Sequence, residues 1–169
     1  YAGIYSSPLK RACLTAKIIK QRQKNQPAIY TEGWLKELDH GDIGAMKVSE
    51  IKKKYPKEWE TWLKSPAKTS PHFPGGQILT QESEMACKRL NFLVSLWEDE
   101  SKILIVSHGA KIKIIVMKIL NCLPSFHNLV IKNCGVVTLR FSEKMPCVGK
   151  PPIYDIKVLA GENLGDDII

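Results

Sequence analysis

The sequence predicts a layered α/β fold with a mostly parallel sheet flanked by helices, and three observations carry that expectation. Short apolar runs alternate with longer segments of helical periodicity along most of the chain, the order that builds a parallel sheet covered by helices. Two of the runs, residues 1–5 and 102–107, pass straight into helix starts. The 169 residues, 44% hydrophobic and 25% charged, are enough to bury one core and close to the usual size of one domain. A single domain over residues 1–169 is therefore expected.

The first strand covers residues 1–5, after which Ser6-Ser7-Pro8 offers a cap with proline at the first helical position. The helix that follows runs to about Arg22, with Leu9, Ala12, Cys13, Ala16 and Ile19 on its buried face. Residues 28–31 read as a second short strand, and residues 33–44 as an irregular charged loop of the kind that carries sites. A helical pattern over residues 48–63 sets Ile51, Tyr55, Trp59, Trp62 and Leu63 at helical offsets. Pro56 marks a boundary or kink within it, and its tryptophans are read as packing residues. Residues 65–76 hold three prolines and two glycines and form a loop. A long amphipathic helix over residues 80–97 leads to the apolar strand 102–107, expected to be buried on both faces. His108-Gly109 ends that strand, and residues 110–120 make the next helix. Residues 134–141 and 153–159 are strand-like, joined by a connector bearing proline and glycine, and the last residues fray.

Lysine and arginine outnumber aspartate and glutamate 25 to 17, a formal net charge of +8, which favours an anionic substrate or partner. The lysines are scattered, without the aromatic-interleaved basic stripe of a nucleic-acid surface. Nucleic acid is therefore not an expected partner. Five cysteines with no C-x-x-C pair disfavour a disulfide framework and a zinc site, and fit reduced thiols in a cytoplasmic protein. No apolar run reaches the roughly 18 residues that span a bilayer, Lys113 and Lys118 breaking the longest. The oligomeric state leaves no mark in the pattern.

Three segments carry the chemistry. ILIVSHG, residues 103–109, is a buried strand that delivers His108 at its carboxyl end directly before a helix. Ligands of open α/β sheets bind at such strand ends, and the helix N-terminus at Gly109 offers amide donors to an anion. YSSPLKRACLT, residues 5–15, repeats the geometry with Arg11 in the first helical turn. That arginine can grip a phosphate bidentately while Ser6 or Ser7 adds a hydroxyl. LKELDHG, residues 35–41, sets Glu37 and Asp39 two apart, so an extended chain would aim both at one face. Carboxylates beside histidine and arginine suggest a proton donor. Each segment alone also has a bland reading, as a structural histidine, a surface arginine and a solvated loop.

Together these segments resemble the histidine phosphatase superfamily, in its phosphoglycerate mutase-like branch. SSPLKRA followed by Thr15-Ala16 is similar to the family's phosphate motif, and WLKELDHG to its general-acid loop. KYPKEW followed by Trp62 is similar to its cap helix, PGG followed by Glu82-Ser83 and Arg89 to its PGGES segment, VSHGA to its second histidine motif, and GVVTL to its late strand. The resemblance implies a phosphoglycerate mutase-like sandwich and a metal-free, cofactor-independent phosphomonoesterase acting through a phosphohistidine. In that picture Arg11, Ser7 and Gly109 bind phosphate, His108 stabilises its oxygens, Glu37 protonates the leaving alcohol, and Glu82 has a secondary role. The substrate is then a small phosphate ester. Two departures stand out. None of His40, His72, His108 and His127 follows an arginine and precedes a glycine as the family's nucleophile does. The chain begins at Tyr1, where the family's second major strand would begin, so a leading strand with Arg-His-Gly and a helix is expected upstream. Gln77 also stands where the family has glutamate, as if residues 78–81 were inserted before Glu82. Phosphoglycerate mutase-type transfer is one alternative, disfavoured by the short connector 65–73. A phosphate-binding domain without catalysis is the other.

Overall fold

Three short strands, β1 (Gly3–Ser6), β2 (Ala28–Thr31) and β3 (Ile103–Val106), form a parallel sheet in the order β2-β1-β3. Their register sets Ile4 between Ile29 and Leu104, and Ser6 between Thr31 and Val106. These positions come from a computed structural model that describes residues 1–68, 70–141 and, for the backbone, 153–159. Paired on both sides, β1 is buried at all four residues, whereas β3 is half-buried throughout. The expectation of a fully buried strand is therefore corrected: β3 is half-buried at every residue, being the outer strand of this described sheet with β1 along one edge only.

Parallel neighbours need a crossover, and α1 (Lys10–Gln21) provides it between β1 and β2. It turns the small Ala12 and Ala16 inward, which lets helix and sheet approach closely. The helix starts two residues later than the proline predicts, with Leu9 as its N-cap. Ser7 accepts the Leu9 N–H at 3.2 Å, but its hydroxyl also bonds His108 at 2.8 Å. The serine thus serves the strand-to-helix junction rather than the first helical turn.

The predicted helix over residues 48–63 is two, α2 (Val48–Lys54) and α3 (Pro56–Lys64), broken at Tyr55. Proline has no N–H to continue α2, and it opens α3 at a first-turn position where none is needed. Trp62 is buried in a cluster with Leu38, Ile51, Phe73 and Phe126, as a packing tryptophan should be. The helices α4 (Leu79–Ser95) and α5 (Gly109–Ile119) pack through Ala86, Leu90 and Ile115. β4 (Val136–Phe141) and β5 (Ile153–Leu159) pair antiparallel with an irregularity between Arg140 and Phe141. The expected connector between them and the fraying tail lie outside the described residues, as does Cys147. Cys13, Cys87, Cys122 and Cys134 are free thiols. Among the described residues, no helix is long and apolar enough to cross a membrane.

The charged loop is held by a second turn. Asp42 donates its N–H to the Pro74 carbonyl at 3.0 Å, and Gln77 donates to the Asp39 carbonyl at 2.8 Å. Gly41 sits between them at φ +66°, where an added Cβ would lie 2.1 Å from the Pro74 oxygen. Gly41→Ala is therefore expected to cost at least about 2 kcal/mol, because it combines left-handed strain with a backbone clash. Chemical denaturation measures this, and an unchanged midpoint would contradict the close approach.

Candidate active site

The carboxyl ends of β1 and β3 lie side by side, and Ser7 donates its N–H to the Val106 carbonyl at 2.9 Å just beyond them. That bond brings Ser7 beside His108, both buried. Arg11, in the first turn of α1, reaches across: its Nε–H donates to His108 Nδ1 at 3.0 Å. Since the guanidinium keeps its protons, Nδ1 must present a lone pair. His108 Nε2 therefore carries the hydrogen and donates to Ser7 Oγ at 2.8 Å. Burial is the main influence that lowers the His108 pKa below 6.5; Glu37 opposes it, while Arg11 and Lys111 add to it. The imidazole is neutral and fixed in one tautomer. Arg11 is exposed and spends Nε alone, so both terminal nitrogens face outward without a partner among the described residues.

Glu37 arrives from the loop. A single turn at Gly33–Leu35 leads into it, tied to the end of β3 by Ser107 Oγ donating to the Leu35 carbonyl at 2.8 Å. Glu37 Oε1 accepts the N–H of Leu38 at 2.9 Å and of Lys111 at 3.2 Å. The carboxylate thus sits on the N-terminal turn of α5, where the helix dipole favours negative charge. Gly109 and Ala110 donate to no acceptor among the described residues, leaving their amides open beside it. Asp39 takes a different course from Glu37, its Oδ1 accepting the Gly41 N–H at 2.8 Å within the turn. Both carboxylates act on His40, but their bonds differ: Glu37 lies on α5 and Asp39 is engaged in the turn at Gly41.

Glu82 lies on the first turn of α4 and pairs with Lys111 at 2.9 Å. It touches none of Arg11, Ser7 or His108; it reaches the site through a lysine that is itself 2% exposed. An arginine, a neutral histidine, a serine and free helix amides, with a carboxylate on the same helix turn, are groups that can hold a tetrahedral oxyanion. The sequence model of the "Histidine phosphatase superfamily (branch 1)" matches residues 1–149.

The chain belongs to the histidine phosphatase superfamily.

Among its relatives, Phosphoserine phosphatase 1 of Hydrogenobacter thermophilus is 40% identical over 76 residues, 45% of this chain and 34% of that protein. "Probable phosphoglycerate mutase GpmB" of Proteus mirabilis is 31% identical over 137 residues, 79% of this chain and 60% of that protein. The chain therefore spans between about a third and two thirds of these relatives. A crystal structure of phosphoserine phosphatase from Entamoeba histolytica with 3-phosphoglyceric acid superposes with a TM-score of 0.71 at 25% identity, covering 91% of this chain and 72% of that one.

Lys111 escapes the sequence reading of this histidine phosphatase chain. Its signal is a lysine set three and four residues before the buried Ile114 and Ile115, on an apolar helix face. The other three histidines gather elsewhere, edge-on to Trp62 with ring centroids 5.6, 4.9 and 4.8 Å away for His40, His72 and His127. Burial lowers the pKa of both His40 and His72 below 6.5. With His108 they are held neutral in the fold while the unfolded chain still binds protons, so stability rises with pH in this window. It is fully present above 6.5 and is lost as the pH falls from there towards the folded values. The midpoint of thermal unfolding is expected to drop between about pH 7.5 and about pH 5.5. A midpoint that is flat or rises on acidification would show these imidazoles to be solvated.

Proposed function

We propose that the protein hydrolyses small phosphomonoesters through a phosphohistidine, and that the residues described here form the anion-holding half of its site. The observation that carries this reading is the Ser7–His108–Arg11 chain at the ends of two parallel strands, with outward guanidinium nitrogens and open amides at Gly109. Arg11, Ser7 and Gly109 hold the phosphoryl oxygens, and His108 stabilises the charge that builds on them. Glu37 gives a proton to the leaving alcohol, then takes one from the water that cleaves the phosphorus–nitrogen bond, yielding alcohol and inorganic phosphate. The family resemblance implies a nucleophile in an Arg-His-Gly segment upstream of Tyr1; in keeping with that, His108 has both ring nitrogens engaged, and His40, His72 and His127 pack on Trp62. Relatives named phosphoserine phosphatase and phosphoglycerate mutase support a small phosphorylated metabolite as substrate.

The test compares residues 1–169 alone with the same chain extended upstream through that strand. Only the extended protein is expected to release p-nitrophenol from its phosphate ester in the presence of chelator, with an acid-labile phosphoryl group trapped on the enzyme. Equal rates for the two proteins would overturn the reading. Phosphate bound by both with no turnover by either would leave a binding domain.

A further inference from the structure

Helix α5 carries three lysines, and two of them are neutralised. Lys111 pairs with Glu82 at 2.9 Å and Lys118 with Glu84 at 3.2 Å, both partners on α4. Lys113 forms no ion pair among the described residues; its Nζ lies 4.1 Å from the ring centroid of the buried Phe126. It is half-buried, and that burial alone lowers its pKa. An ammonium removed from water without an anion is costly unless a ligand completes it, and a ring face compensates only in part.

Its place in the helix says where such a ligand would lie. Lys113 follows Gly109 by four residues, so the two share a face of α5, and helical side chains lean towards the N-terminus. The ammonium is thereby carried towards the turn whose free amides flank the proposed phosphate. Its charge is felt at His40, three residues beyond Glu37. Lys113 is thus tied to Phe126 on one side and acts on His40, in the loop that carries Glu37, on the other.

We infer that Lys113 is a specificity residue that receives a second anionic group of the substrate, a carboxylate carried on the leaving alcohol. This rests on the proposed phosphatase reading and narrows it to phosphate esters of hydroxy acids and hydroxyamino acids. The phosphoryl group occupies Arg11, Ser7 and the α5 amides, and the carboxylate reaches Nζ one turn further along the same helix face.

O-Phosphoserine and O-phosphoethanolamine differ by one carboxylate and make the comparison direct. In the complete protein, kcat/KM is expected to favour phosphoserine by about tenfold or more. Lys113→Met should bring that ratio close to one, mainly by raising KM for phosphoserine, and Lys113→Arg should keep most of it. A ratio unaltered by Lys113→Met, or a parent protein indifferent to the carboxylate, would overturn the inference. Calorimetry with 3-phosphoglycerate and glycerol 3-phosphate asks the same question without turnover. Selective loss of 3-phosphoglycerate affinity in Lys113→Met supports the assignment, and equal loss of both ligands overturns it. If no ester is hydrolysed while that selectivity persists, the phosphatase reading fails and the carboxylate site stands.

Discussion

Replacing His108 by alanine lowers the turnover number of the complete protein by about 100-fold or more, the scale of a lost charge-stabilising donor in other enzymes. Two losses combine. The Nε2–H that bonds Ser7 disappears, and Arg11 loses the Nδ1 acceptor that aims its guanidinium. His108→Gln is expected to recover part of the loss, because an amide can both accept from Arg11 and donate to Ser7. Its amide stays uncharged where an imidazole can take up a proton, so it cannot restore all of it. Saturating-substrate rates at near-neutral pH are the measurement. An alanine variant that matches the parent would make His108 structural and remove it from the mechanism.

The second large effect is on folding. Lys111→Met is expected to cost about 3–5 kcal/mol, because it strands the Glu82 carboxylate opposite an apolar side chain. Lys111 is almost fully buried, and the Glu82 side chain is 17% exposed. Adding Glu82→Gln to the same chain should recover most of the loss, since the penalty belongs to the unpaired charge rather than to the absence of the pair. Urea unfolding of the single and double variants decides the matter. A single variant as stable as its parent would mean that the carboxylate escapes to water.

The strand-to-helix junctions were legible because each is local. Ser7 and Arg11 lie four residues apart in one segment, and VSHGA announces both a strand end and a helix start. Neighbouring parallel strands then bring Ser7 and His108 together, since their ends fall on one edge of the sheet. What could not be read depends on distant parts of the chain. Asp39 is spent on a turn whose other half is residues 74–77, and no local pattern reveals that partner. The apolar content of strand 102–107 predicts full burial, but an edge position depends on the rest of the sheet, and β3 has one neighbouring strand in the described sheet and is half-buried. Lys111 and Glu82 are 29 residues apart, and their pairing follows from how α4 packs on α5.

The bond from Arg11 to His108 makes anion capture an exchange of partners. A second proton can enter the imidazole at Nδ1 only when Arg11 has let go of it, and an arriving dianion draws the guanidinium away while making the added proton more welcome. Binding and protonation then become one linked event, with hydrogen ions drawn from the buffer in step with the ligand. Heats of phosphate binding should vary with the ionisation enthalpy of the buffer, and affinity should weaken as the solution becomes alkaline. The arginine acts as a gate on the charge of its neighbour: an empty site stays neutral at the histidine, and an occupied one gains a cation.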